Sequence, residues 1–398
     1  MTGIENDQLS DFYRGFSEPS QPLDYSLFEY LVVEHSRALA QEFLDRHGNV
    51  VSSASPSLFA FLRGAIDAVL EFETVWSPAW GALAACLAAR DAASIHNAAV
   101  AFAWKLSQQG IPGQWEASCI AIDRLLIGDM VLPLARRISV ESAPGKLTVT
   151  VSETGDANRD TTYRFNRTES GYWLVQDSRL DQPKNAMLGR VLFLTNGVSD
   201  IANFQYLREL LLPAARVNEA IDKHRSAMAL LDEFAPSYAM WVNRVVRAII
   251  PLEAMNGAIN SGSNREEPGI IHASVDCPVE GYAEMLVHEA AHQYFYILTR
   301  IGQVDNGTDP TLYYSPVKET GRPISMILLA YHAFANVILL GRCCNRKEPG
   351  RFDYFYKNES FLEPHVSKLE EGLRTTRALT IIGRALWQPL SERLGMPQ

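Results

Sequence analysis

The sequence lacks a basic excess, and this absence excludes one large class of partners. Its 398 residues contain 36 lysines and arginines against 46 aspartates and glutamates, which gives a net charge of −10. Proteins that bind nucleic acids usually present a basic surface to the phosphate backbone. We therefore expect no nucleic-acid partner.

Cysteine is also scarce, and its distribution excludes two kinds of covalent framework. The five cysteines are odd in number and none belongs to a CxxC pair, so neither a disulfide framework nor a cysteine zinc site is expected. A reduced, cytoplasmic setting fits this pattern best. The polar and acidic start, MTGIENDQLSDFYRG, has no basic stretch followed by an apolar one, so we expect no signal peptide.

Long apolar runs are absent apart from residues 324–340, ISMILLAYHAFANVILL. This run is slightly short for a membrane span and contains a histidine and an asparagine. It predicts a buried helix and no membrane partner.

The periodicity along the chain divides it into four regions and predicts an α+β fold that is mostly α-helical. Residues 1–22 read as a flexible tail, and apolar positions recur at helical spacing over 23–135. Period-two alternation separated by turn sequences predicts an antiparallel β meander over 136–180. Helical periodicity returns over 185–398, the expected metal-binding catalytic region, where IIPLE and GIIHASVD predict two strands.

The strongest chemical signal is the segment VEGYAEMLVHEAAHQYFYILTR, which has no helix breaker. His288 and His292 stand at positions i and i+4, so both side chains lie on one face of a helix and can bind one metal ion. Glu289 lies about 100° further round the helix and can reach a metal-bound water without being a ligand. This HExxH arrangement, preceded by a predicted strand, indicates a zincin-like metal helix.

A third ligand is needed to complete such a site. The metzincin pattern requires Gly at position 295 and His at position 298, where this chain has Phe295 and Leu298, and no NExxxE string follows. The candidates that remain downstream are Asp305, Asp309, Glu319, His332, Glu348, Asp353 and His365.

His332 is the preferred third ligand. Ser325, His332 and Asn336 are spaced seven and four residues apart, so they form one polar stripe on the apolar helix. A polar stripe on a buried helix must face something polar, and the HEAAH helix is the expected neighbour. The alternative is a core histidine that is hydrogen-bonded to a backbone carbonyl.

The connector YYSPVKETGRPIS supplies many donors just before this helix. Tyr314, Ser315 and Lys318 are followed by Arg322, whose guanidinium suits bidentate carboxylate binding. The alternative is a surface loop with a structural salt bridge.

The chain resembles the HExxH motif-containing peptide-modification proteins in the order of its motifs. These are LVHEAAHQ, then YxSP and an RP pair, and then a YHAFANV-like helix. Members of the family are found beside genes for ribosomally made, post-translationally modified peptides, and the similarity is clearest over residues 250–340. Where the family has SPW and an arginine run, this chain has SPVKETGRP.

The resemblance implies iron(II)- and 2-oxoglutarate-dependent hydroxylation of a precursor peptide, usually at a side-chain β-carbon. His288, His292 and His332 would then hold iron, and Arg322 would hold a carboxylate of 2-oxoglutarate, with Tyr314, Ser315, Lys318 and Asn336 as further co-substrate contacts. Iron oxygenases commonly use two histidines and one carboxylate, which keeps Glu319 open as the third ligand. Three histidines suit zinc equally well.

Three functions are compatible with these residues. The first is the peptide hydroxylase, and the second is a zinc metallopeptidase with Glu289 as the general base. The third is a metal-stabilised binding module without catalysis. The sequence does not identify the peptide, the modified residue or the oligomeric state.

Overall fold

The computed structural model describes most of the chain. The described residues are 6–21, 23–68, 70–118, 125–128, 130–132, 136–152, 160–168, 173–175, 186–194, 210–254 and 259–395. Within them the protein is mostly helical with small sheets, so the predicted α+β class is confirmed.

Helices dominate the first quarter of the chain, as the periodicity predicts. Asp24 caps the longest of them by accepting a hydrogen bond from the Leu27 backbone amide. Gly110 ends the last one in the left-handed region, with φ of 93°. The helices are α1 (Asn6–Arg14), α2 (Tyr25–Ala54), α3 (Pro56–Ala65), α4 (Phe72–Val75), α5 (Pro78–Cys86) and α6 (Ala92–Gln109).

The segment that the sequence predicts as a flexible tail differs from that prediction. It contains α1, and the residues after α1 are buried: Phe16 and Ser17 are 0% exposed and Glu18 is 1% exposed. Arg393 holds the buried carboxylate of Glu18 with contacts of 2.8 and 2.6 Å. Aromatic contacts of Phe16 and this ion pair fix the segment against the core. Residues 1–5 and 22 lie outside the described residues.

The β meander forms where the alternation predicts it. Four consecutive strands pair antiparallel, and their alternate side chains are buried, as on a sheet with one face against the core. An earlier strand, β1, joins the edge beside β4, and a separate hairpin precedes the meander; the sequence predicts neither. The strands are β1 (Gly113–Ser118), β2 (Leu125–Ile127), β3 (Met130–Leu132), β4 (Arg137–Ala143), β5 (Lys146–Ser152), β6 (Asp160–Arg167) and β7 (Trp173–Val175). Residues 176–180 of the predicted meander lie outside the described part.

A second, mixed sheet supports the region that carries the metal motif. Its order is β11-β12-β10-β9-β8, with β10 parallel to β12 and β9, and β11 antiparallel at one end. The predicted strands IIPLE and GIIHASVD are β10 and β12, while β11 lies in the predicted connector. The strands are β8 (Ala186–Leu188), β9 (Val191–Phe193), β10 (Ala248–Leu252), β11 (Ser261–Ser263) and β12 (Ile270–Ser274), and α7 (Val217–Phe234) and α8 (Pro236–Val245) precede β10.

The final region is built on two long helices. They are α9 (Val279–Ile301), which carries HEAAH, and α10 (Ile324–Lys347), with the hairpin β13 (Tyr313–Ser315) and β14 (Thr320–Arg322) between them. After them come α11 (Asp353–Thr375) and α12 (Ile381–Leu394). By length and composition α10 could cross a membrane, but 78% of its apolar window is buried inside the protein. That burial is typical of the core helix of a soluble protein.

Candidate metal centre

The HEAAH helix presents one partly exposed stripe on an otherwise buried surface. Glu284, His288, His292 and Tyr296, spaced four residues apart, are partly exposed, whereas most residues between them are buried. The spacing of four places these side chains in one row along α9. The motif histidines therefore lie on the partly exposed row of α9.

The rings of His288 and His292 converge. Their centroids are 4.7 Å apart and the ring planes are 87° from each other. Two imidazoles that share one tetrahedral ion, with nitrogen–metal distances of about 2.1 Å, have centroids roughly 5 Å apart. Nδ1 of His292 is buried and has no hydrogen-bond partner among the described residues. The two rings thus fit a shared divalent ion.

Electrostatics keep His292 in the form that binds metals. Burial lowers the pKa of His292 well below its ordinary value, and the neighbouring His288 and His332 lower it further. A neutral imidazole has a free lone pair for a metal ion.

Glu289 points towards the edge strand β11. The residue is 1% exposed, and its Oε1 accepts a hydrogen bond of 2.7 Å from Ser261 Oγ. Its Oε2 is buried without a hydrogen-bond partner in the described part of the chain. An unpaired buried carboxylate oxygen is costly unless a water, an ion or a substrate satisfies it.

Glu284 adds a second carboxyl group one turn before His288. Its Oε2 accepts a hydrogen bond of 2.5 Å from the Tyr354 hydroxyl. Burial raises the pKa of Glu284, and Tyr354, Asn358 and His288 act in the opposite direction. Tyr354 lies near the start of α11, so this bond ties α11 to the metal helix beside the motif.

His332 does not join the two motif histidines. It is 0% exposed, and its Nε2 lies 2.9 Å from the backbone oxygens of both Phe16 and Ser17. No group of three metal-ligating side chains occurs among the described residues. The contacts of Nε2 match the alternative of a core histidine bonded to backbone carbonyls, while Nδ1 is buried without a partner among the described residues, so the ligand role of His332 stays a prediction.

Asn336, predicted as a co-substrate contact, has the same kind of surroundings. Its Nδ2 donates to the backbone oxygens of Ser17 and His332, at 2.9 and 2.8 Å. Its Oδ1 accepts from the Tyr238 hydroxyl at 3.1 Å. These bonds use its polar atoms inside the core, and its co-substrate role stays a prediction.

The connector motifs come together as one hairpin. Tyr313 pairs with Arg322, and Ser315 pairs with Thr320, so YxSP and RP form the two strands. Tyr314 and Lys318 are exposed, whereas Ser315 is buried. In the described part of the chain, no hydrogen bond or ion pair joins this hairpin to His288 or His292.

Arg322 lies just before the first residue of α10. Exposed or partly exposed positions recur every four residues along α10 from Met326 to Phe334, which lies beside His288. The ring of Phe334 lies 5.1 Å from that of His288. Ten residues separate Ile324 from Phe334, which is about 15 Å of helix.

The other ligand candidates also lie apart from the motif. Glu319 is exposed in the hairpin turn, with φ of 50°. Asp309 accepts from Tyr313 and Thr376, and Nδ1 of His365 bonds to its own helix. Two further carboxylates, Glu348 and Asp353, pair with surface cations, and Asp305 caps a turn. None of them supplies the third position among the described residues.

Two residues at the site are missed by sequence reasoning. Ser261 bonds Glu289, and Phe334 packs on His288. Ser261 lies in a serine- and glycine-rich stretch that reads as a turn, so no sequence signal marks it. Phe334 lies about 200° round the helix from His332, so the expectation that the His332 face meets the HEAAH helix excludes it.

Comparison with family models and with curated proteins gives no match for this chain. The function is therefore inferred from the residues and geometry of the site.

Proposed function

We propose that this chain is a cytoplasmic metalloenzyme that modifies a peptide, and that its reaction is iron(II)/2-oxoglutarate-dependent hydroxylation. The observation that carries the proposal is the convergence of the His288 and His292 rings at a partly exposed face of α9. The motif resemblance supplies the reaction class.

A peptide is the substrate class that best suits the surroundings. The outer edge of β11 pairs with no other described strand, and β11 is bonded to the motif through Ser261 and Glu289. An extended peptide can add to such an edge by main-chain hydrogen bonds. Tyr296 donates to the Ser263 backbone oxygen at 3.5 Å, which holds the strand beside α9.

The residues of this chain have separate tasks in the proposal. His288 and His292 hold the metal, which together with 2-oxoglutarate supplies the oxidising chemistry. Arg322 binds the distal carboxylate of 2-oxoglutarate, because its guanidinium has no hydrogen-bond or ion-pair partner among the described residues. Phe334 and the buried surface around α9 exclude water.

The experiment that tests this function is co-expression with each candidate precursor peptide gene from its genomic neighbourhood, followed by intact-mass analysis. A gain of one oxygen atom that requires iron and 2-oxoglutarate supports hydroxylation. An unmodified peptide under those conditions contradicts it.

A zinc metallopeptidase is the second candidate, and the unpaired oxygen of Glu289 favours it. A buried carboxylate beside the two histidines is the arrangement that activates a metal-bound water. Peptide fragments in the same mass analysis, with zinc bound to the purified protein, would support this candidate.

A further inference from the structure

A second cavity lies away from the motif. Its volume is about 900 Å³, which is within the range of small-molecule sites. The walls come from the β8–β9 turn, from α7 and from α8 with the residues after it. None of the motif histidines lines it.

Arginine is concentrated in this cavity although the whole chain has a net charge of −10. Four arginines line it, against two carboxylates, Glu73 and Asp232. The arginines are Arg190, Arg225, Arg244 and Arg247.

Two of these arginines have carboxylate partners outside the cavity lining, since Arg244 pairs with Glu29 and Arg225 pairs with Asp222, whereas Arg190 and Arg247 have no close carboxylate partner among the described residues. Arg190 and Arg247 share Glu73 at 4.0 and 3.8 Å, both longer than a hydrogen bond. Nε of Arg244 and Nε of Arg247 are buried without hydrogen-bond partners among the described residues. Burial lowers the pKa of Arg247, and Arg190 and Arg244 lower it further, against the effect of Glu73. An anion between these guanidiniums would relieve their repulsion.

A buried histidine is a further polar residue of the cavity wall. His224 lines the cavity and is 3% exposed, yet its Nδ1 has no hydrogen-bond partner in the described part of the chain. Buried polar atoms of this kind are usually satisfied by a water or a ligand. Leu188, Met228 and Met240 give the cavity apolar walls beside the arginines.

We propose that this cavity binds a carboxylate carried on an apolar group, with the carboxylate held by Arg190 and Arg247. A guanidinium recognises a carboxylate through two parallel hydrogen bonds, and the methionines adapt to an apolar chain. The carboxylate belongs either to a small organic acid or to a glutamate in an acidic peptide. The site is independent of the proposed metal chemistry.

The test is calorimetric titration of the full chain with four probes. Octanedioate and its neutral diamide represent the small acid, and the peptides acetyl-Leu-Glu-Leu-Glu-Leu-amide and acetyl-Leu-Gln-Leu-Gln-Leu-amide represent the peptide source. We expect at least one anionic probe to bind at least tenfold more tightly than its neutral counterpart. Which of the two binds identifies the source.

Variants locate the binding. Arg190→Glu should weaken the anionic probe at least tenfold, and it leaves folding intact because the side chain is 81% exposed. Arg247→Gln should weaken it similarly, with circular dichroism as the check on folding. Arg137→Glu, an exposed arginine on β4 outside the cavity, is the control and should change nothing. The proposal is wrong if neither anion binds the wild type, if neutral probes bind equally, or if Arg190→Glu binds as the wild type does.

Discussion

The HEAAH stripe of α9 and the polar stripe of α10 place their histidines in different surroundings. On the partly exposed stripe of α9, Phe334 packs against His288, and Nδ1 of His292 has no hydrogen-bond partner among the described residues. On the buried face of α10, His332 bonds to the backbone oxygens of Phe16 and Ser17. The two sites therefore differ at Nε2 of His332, which is held by backbone oxygens, while Nδ1 of His292 and Nδ1 of His332 both lack a partner among the described residues.

The largest expected effect concerns Glu289, the buried carboxylate of the HEAAH motif. If the protein is a peptidase, Glu289→Gln should reduce hydrolysis by about 10² to 10⁴-fold, because the general base is lost. In the hydroxylase that we propose, metal remains bound and hydroxylation persists, since hydrogen abstraction needs no base. Product formation and metal content are measured on the same preparation. A complete loss of hydrolytic turnover with metal retained would favour zinc over iron.

The next effect concerns the buried face. His332→Ala should lower the free energy of unfolding by about 2–4 kcal/mol, because it leaves two carbonyl oxygens without this partner and opens a cavity. Urea unfolding measures the change. Met326→Ala, at an exposed position of the same helix, is the matched control and should cost far less. Unchanged stability of His332→Ala would contradict the core role.

A third prediction concerns Arg322, in the hairpin between α9 and α10. Arg322→Ala should raise the 2-oxoglutarate concentration needed for half-maximal turnover about tenfold, which corresponds to roughly 1.4 kcal/mol. Metal content should stay unchanged. Lys318→Ala, on the same hairpin, is the control. If Lys318→Ala gives the larger effect, the carboxylate contact belongs to Lys318.

The smallest effect concerns His224, a buried histidine with an unpaired nitrogen. Burial lowers its pKa from 6.5 to about 4, so between these values the unfolded chain binds a proton that the folded protein does not. Its contribution to stability is present above pH 6.5 and is lost as the pH falls towards 4. Replacing it as His224→Phe should flatten this slope in urea unfolding measured from pH 7 to 4.5. An identical slope in both proteins would refute the assignment.

Sequence periodicity predicts the helices and strands of the site better than it predicts what those elements pack against. The segment VEGYAEMLVHEAAHQYFYILTR forms α9, and the two flanking strand predictions are β10 and β12. The polar stripe of His332 and Asn336 is real, but periodicity shows only that residues share a face, not what that face meets. The stripe bonds to the backbone oxygens of residues 16–17. Every residue has a backbone oxygen, so no side-chain pattern marks this partner.

The missed edge strand has a related cause. Strand β11 contains only serine and glycine, which have low β propensity, so its conformation comes from pairing with β12. Ser261 therefore reaches Glu289 through tertiary structure that no local pattern records.

The comparison between the HEAAH stripe of α9 and the His332 stripe of α10 is tested most directly by the metal content of three proteins. Wild type, His288→Ala and His332→Phe are reconstituted anaerobically with iron(II), and separately with zinc, and their metal-to-protein ratios are measured after desalting. We predict about one ion per chain in the wild type, loss of the ion in His288→Ala, and retention in the folded fraction of His332→Phe. Loss of metal from folded His332→Phe, or full occupancy of His288→Ala, would contradict this account.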